Sequence, residues 1–178
     1  MSALAHPQVG QYLNRHFVSA FQKVATFQIN GGQKQGGNVA GYFCTSEGLV
    51  LHAVAGPVDA RTFLREARWA NETFQMAQLK NTGQAQLQAF FREAHLNRLH
   101  QVQEVRARQL HLPREYVSPD MLDQFLTRHA HLDLDNQGKV HLLLAVAPMP
   151  RLDQVYQVVF AKILNEKIST NPVAVAGR

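Results

Sequence analysis

The chain has 178 residues, 46% of them hydrophobic and 17% charged, enough apolar material for a buried core, which excludes global disorder. No apolar run reaches the roughly 18 residues that a bilayer span needs, and a single cysteine, Cys44, excludes an internal disulfide or a zinc site of several thiolates. The formal charge of +5, from 18 Lys and Arg against 13 Asp and Glu, contains no run of five or six like charges, so a solvated surface is expected and a nucleic-acid partner is not.

Pro7 suits the first turn of a helix, and Val9, Leu13, Phe17 and Ala20 follow at spacings of three and four, predicting a helix over 7–22. "VATFQI" (24–29) alternates and predicts a strand. "NGGQKQGGN" (30–38) has four glycines in nine residues and predicts a loop. "VAGYFCT" (39–45) and "LVLHAVA" (49–55) predict a hairpin around Thr45–Gly48. Asp59 is placed to cap a following helix that carries Phe63, Leu64, Ala67, Phe74 and Ala77.

Beyond Gly83 the character is helical. Residues 84–112 predict a long helix stopped by Pro113, with Leu87, Phe90, Phe91, Leu99 and Val102 among its apolar positions. Ser118-Pro119 predicts a helix start with Ser118 as N-cap. "KVHLLLAVAPMP" (139–150) fits a buried strand or a short helix. Leu152, Val155, Tyr156, Val159, Phe160 and Ile163 predict an amphipathic helix, and a frayed tail is expected from Ser169. The first residues lack the basic and apolar regions of a signal peptide, and the cytoplasm is the expected compartment.

The stretches "VGQYLNRHFVSAFQKVATFQI" and "NVAGYFCTSEGLVLHAVAGPVDARTFLREARWA" together resemble the downstream part of a thioredoxin-like fold. Bacterial thioredoxin-like proteins and UAS-type domains are the most similar. The resemblance covers about residues 7–78. It implies an α/β fold: a partial thioredoxin-like unit (helix, strand, loop, β-hairpin, helix; 1–80) followed by a mainly helical extension (81–178). Three departures accompany it. The family's Cys-x-x-Cys has no counterpart in "AHPQVG", the family's cis-proline position falls on Asn38-Val39-Ala40, and the central strand before the first helix is missing. A two-cysteine exchange cycle needs a resolving thiol and is excluded. A missing central strand leaves unpaired backbone groups. Insertion of 140–147, a strand from a partner chain, or direct closure of 24–29 on 39–45 would satisfy them, and closure or a partner is favoured because Leu-Leu-Leu-Ala suits a helix.

Cys44 is expected to be a small half-buried strand residue, without a helix N-terminus or neighbouring cation to lower its pKa. His129-x-His131 with His141, and His95 with His100, lack the i,i+4 helical spacing of a two-histidine zinc site, so no metal and no cofactor is expected. "DLDNQG" (133–138) begins like a calcium loop, but its twelfth position is Leu144; Asp135 or Asn136 is expected as a turn or cap residue. The glycine loop lacks the Gly-Lys-Ser/Thr ending of a phosphate loop. Trp69, Phe74, Phe90 and Phe91 are expected in packing.

The expectation is a redox-inactive thioredoxin-like module, not an enzyme, that binds a protein or peptide or a second copy of itself through Gly36, Gly37, Asn38, Val39 and Ala40. The alternative is a single-cysteine thiol enzyme or redox sensor acting through Cys44. Self-association is expected at the 24–45 edge or the 84–112 helix.

Overall fold

The β-hairpin anchors the architecture of the computed structural model, which describes residues 3–22, 24, 28–30, 33–35, 38–80, 83–102, 112–166 and 168. Strands β3 (Ala40–Cys44) and β4 (Val50–Ala55) pair antiparallel. The turn between them closes with the Gly48 N–H donating to the Thr45 carbonyl at 3.0 Å, at a φ of 79° that favours glycine. All six residues of β4 are buried. The register pairs Phe43 with His52 and Cys44 with Val50, so Leu51 is the extra residue of a β-bulge.

Helix α1 (Pro7–His16) starts at its proline and ends where Phe17 turns extended. The expected continuation to residue 22 does not form. Val18 and Phe21 stand fully exposed, off the apolar face to which the periodicity assigned the end of this helix. Arg15 and His16 occupy the last turn, where positive charge suits the helix dipole.

The first expected strand also differs. β1 (Gln28–Asn30) lies at the C-terminal edge of the predicted 24–29 and pairs with β2 (Gln33–Gln35), inside the predicted glycine loop. Asn30 pairs with Gln33 across the sequence Gly31-Gly32, a pattern suited to a tight hairpin. Among the described residues β1 and β2 form a sheet of their own, so the expected closure of 24–29 on 39–45 is not formed. Residues 25–27 lie outside the described residues.

Helix α2 (Ala60–Lys80) is capped as expected, the Asp59 carboxylate accepting the Thr62 N–H at 2.7 Å. Helix α3 (Gln84–Val102) occupies the first part of the predicted 84–112 span, and residues 103–111 lie outside the described ones. Ser118 precedes a 3-10 turn, Pro119–Met121, without a side-chain capping bond, and α4 (Leu122–Arg128) follows.

The ambiguous 139–150 segment resolves as helix. α5 (Asn136–Val146) is capped by Asp135, whose carboxylate accepts the Gly138 N–H at 2.6 Å. The run from Val140 to Pro150 is buried throughout, which explains why no amphipathic period marks it. α6 (Leu152–Val158) continues into a π turn, Val159–Ile163, with Val155, Val159, Phe160 and Ile163 buried. The described part of the tail ends before Ser169.

The helices cover the hairpin. α2 and α5 both pack on β4, α5 packs extensively on α3, and α1 packs on α2. Val50, Ala53 and Ala55 share a core with Leu99 of α3, Leu143 of α5 and Phe160; Val54 and Phe43 share another with Phe63, Ala67 and Ala70 of α2. Among the described residues no further strand pairs along the outer edge of β4, and other groups take up its backbone bonds. The Pro150 carbonyl accepts the Val50 N–H at 2.8 Å. The Leu51 carbonyl accepts from His95 at 2.9 Å, and the Ala53 carbonyl accepts from Gln137 at 2.8 Å. Among the described residues no helix is long and apolar enough to cross a membrane.

Candidate functional site

Three histidines converge in the core from three elements. His52 comes from β4, His95 from α3 and His141 from α5, and each is at most 1% exposed. The β-bulge at Leu51 lies immediately before His52. His95 occupies the stripe of α3 that also carries Phe91 and Leu99, both buried, so an imidazole sits in the middle of a helix face that otherwise reads as apolar. The rings are packed together: His52 lies 5.0 Å from His141 and 5.7 Å from His95, centroid to centroid, and His95 lies 5.2 Å from His141. One ring nitrogen from each of the three lies within 4.8 Å of the others. Trp69 sets its edge against all three, 4.7 Å from His52, 5.0 Å from His95 and 5.5 Å from His141.

The hydrogen bonds assign the ring protons. A carbonyl only accepts, so His95 donates its Nε2–H to Leu51. Its Nδ1 faces Nδ1 of His141 at 2.9 Å. His52 Nε2 lies 3.2 Å from Oε2 of Glu66, and a carboxylate in its charged form only accepts, so this nitrogen also carries its proton. That leaves Nδ1 of His52 buried without a partner, and Nε2 of His141 is in the same position.

Charge is arranged around this group. Burial pushes the pKa of His52 down and outweighs the contact with Glu66 that would raise it. Burial likewise holds His95 down at about 3 and His141 well below the ordinary value, so all three rings are neutral near pH 7. Glu66 is 2% exposed. Burial acts to raise its pKa, but the His52 bond and the Arg65 and Arg98 guanidiniums overcome this and hold it at about 2. Arg65 Nε and Arg98 Nη2 lie 3.0 and 3.3 Å from its Oε1.

Glu66, Arg98 and Trp69 connect the buried rings to the surface. Arg98 and Trp69 also line a groove of about 680 Å³ shared with Arg61, Leu64, Arg65, Arg68, Glu72 and residues from the start of the chain, His6 and Gln8. Arg68 lies over the Tyr12 ring at 5.6 Å. Four guanidinium groups therefore share the groove with Trp69, Leu64 and Ala60, with Glu72 as the carboxylate in the lining.

The residues singled out in the sequence are placed elsewhere. Gly36 and Gly37 lie outside the described residues. The Asn38 N–H donates to Glu166 Oε1 at 2.9 Å, Val39 is exposed and Ala40 begins β3; none of these three lines the groove. Cys44 is half-buried against the main core, and burial pushes its thiol up to about 11. Of the histidine groupings in the sequence, His141 joins neither His129 nor His131, and His95 does not join His100; His95 and His141 meet each other and His52. The missed signal was chemical rather than periodic. His52 interrupts "LVLHAVA" and His141 interrupts "VHLLLAVA", polar rings inside otherwise apolar runs.

No protein family, no curated protein and no solved structure matches the chain.

Proposed function

We propose that the chain is a redox-inactive binding module whose partner is an acidic segment of another protein, held in the groove between the start of the chain and α2. The observation that carries this reading is the grouping of Arg61, Arg65, Arg68 and Arg98 around Trp69 and Leu64 in one concavity. Arginine and tryptophan are the residue types that dominate binding energy at protein interfaces, because they combine large contact area with directed hydrogen bonds. Arg65 and Arg98 are partly committed to Glu66. Among the described residues Arg61, and Arg68 from its position over the Tyr12 ring, are the arginines of the groove without a carboxylate partner of this kind, and Leu64 and Trp69 offer an apolar seat for an anchor side chain. The sequence phrases of residues 7–78 support a thioredoxin-like ancestry for such a module, and the raised pKa of Cys44 supports a role without thiol chemistry.

Trp69 is the only tryptophan, so its fluorescence reports the groove directly. Titration with a short acidic peptide carrying one leucine is expected to change that emission saturably, with an affinity that falls as salt rises. The double variant Arg61→Glu/Arg68→Glu is expected to lose binding by about tenfold or more, the scale of one or two charge-assisted contacts. Equal affinity for acidic and basic peptides, or unchanged affinity in the double variant, would overturn the reading.

A further inference from the structure

We propose that His52, His95 and His141 form a binding site for a divalent transition-metal ion, of which zinc is the reference case. The inference is independent of the groove. It rests on the geometry of the rings, on what holds them, and on the ring nitrogens left over.

One nitrogen from each ring falls within 4.8 Å of the other two, in a set drawn from a strand and two helices. Two nitrogens bound to one zinc at about 2.0–2.1 Å stand about 3.3 Å apart at the tetrahedral angle. Nδ1 of His95 and Nδ1 of His141 are 2.9 Å apart, within a few tenths of an ångström of that spacing. The third nitrogen closes by a side-chain movement of about 1.5 Å, on the same metal–nitrogen length. Imidazole nitrogens without thiolate or a direct carboxylate suit zinc, copper, nickel and cobalt, and disfavour calcium and magnesium, which take oxygen.

The rings are held as metal-binding histidines are held. Such a histidine donates its other ring N–H to a carboxylate or a backbone carbonyl, which fixes the tautomer and aims the free lone pair. His52 meets Glu66 in this way and His95 meets the Leu51 carbonyl. In both rings Nε2 carries the anchored proton and Nδ1 keeps the lone pair. Glu66 further supplies negative charge beside a site that would receive two positive charges.

A hydrogen-bond network alone leaves the cluster incomplete. Three neutral rings bring three N–H groups and three lone pairs. Leu51, Glu66 and the contact between His95 and His141 use the three N–H groups and one lone pair. Nδ1 of His52 and Nε2 of His141 remain buried without a partner, each at the expense of a desolvated polar atom. A shared metal ion takes up the spare lone pair of His52 Nδ1 and replaces the hydrogen bond between His95 and His141, the His141 proton moving from Nδ1 to Nε2.

The test uses the full chain and metal alone. After dialysis against chelator, zinc is titrated in competition with a chromophoric indicator, and cobalt is titrated while its visible absorption is followed. Binding of one equivalent is expected, with a rise in Tm of about 5–10 °C at free zinc a hundredfold above Kd. His95→Gln and His141→Gln are each expected to weaken binding by more than a hundredfold, and Glu66→Gln by about ten- to a hundredfold. The double variant His129→Gln/His131→Gln, which alters rings outside the cluster, is expected to bind as the parent does. Because the core variants can fail to fold, nitrogen-detected spectra of the parent's imidazoles provide a second readout. One equivalent of zinc is expected to move three rings and leave the rest unshifted. Absence of stoichiometric binding, zinc shifts confined to other rings, or loss of binding in the His129→Gln/His131→Gln variant would overturn the proposal.

Discussion

His95 donates its Nε2–H to the carbonyl of Leu51 across 2.9 Å, and Leu51 is the residue that the β3–β4 register skips. A bulged residue places its backbone groups outside the ladder. Here a helix supplies what a neighbouring strand would have supplied. Gln137 does the same for Ala53 at 2.8 Å, so side chains from α3 and α5 close the outer edge of β4.

Removing either donor leaves a buried carbonyl unpaired. His95→Leu and Gln137→Leu are each expected to lower stability by about 1–3 kcal/mol, the desolvation cost of such a group. Urea denaturation of the metal-free chain measures this as a lower midpoint at unchanged slope. Parent-like midpoints in both variants would show that these bonds do not close the edge.

Glu66 and Arg65 share a hydrogen bond but not an environment. Glu66 is 2% exposed and meets His52, Arg65 and Arg98; the Arg65 side chain is 58% exposed. Glu66→Ala is expected to cost about 3 kcal/mol, the low end for breaking a buried pair, because Arg98 keeps some contact with water. Arg65→Ala is expected to cost under about 1 kcal/mol, as for an exposed pair. Comparable losses in the two variants would show that burial does not separate them.

The same cluster predicts the acid limb of stability. His52, His95 and His141 are held neutral in the folded chain, His95 down to about 3, against an ordinary value of 6.5. Below about pH 6.5 the unfolded chain takes up protons that the folded rings refuse, so stability is full above that pH and is lost as pH falls toward 3. His95 contributes roughly a kcal/mol per pH unit in that window, and His52 and His141 act in the same direction. Glu66 acts in the same sense lower down, between its ordinary 4.5 and about 2. Urea midpoints of the metal-free chain at pH 7.5, 6 and 5 are expected to fall progressively. A flat profile down to pH 5 would contradict neutral buried rings.

The hairpin, the Asp59 cap and the final amphipathic helix were legible because each follows a local rule: period two around a tight turn, a carboxylate before a helix, period three to four. Helix α5 was legible only in part, since a segment buried on every side shows no period, and the helix propensity of Leu-Leu-Leu-Ala and the Asp135 cap were the signals that favoured helix over strand. The end of α1 was misread because Phe17, Ala20 and Phe21 keep a helical apolar spacing although the helix ends where Phe17 turns extended. The histidine centre is non-local: His52, His95 and His141 are separated by more than forty residues at each step, so no spacing rule reaches them. The closure of the β4 edge was hidden for the same reason. Of the α3 positions that argued for self-association, Phe91 and Leu99 are buried within the chain, where α3 packs on α5.

Cys44 separates the binding module from a thiol enzyme. A catalytic thiol needs an accessible thiolate near neutral pH. Cys44 is half-buried in β3, packs against the main core, and has its pKa pushed up to about 11 by burial. At pH 7 its thiolate fraction is therefore on the order of one in ten thousand. Labelling of the native chain by a disulfide reagent is expected to be slow at pH 7, to accelerate about tenfold per pH unit up to pH 9, and to become fast on denaturation. Cys44→Ala is expected to cost about 1 kcal/mol, as a small truncation at a partly buried site, and to leave binding in the arginine-lined groove unchanged. Rapid stoichiometric labelling at pH 7 in the folded state would put the thiol reading ahead, because a thiol that reacts that quickly is neither shielded nor held protonated.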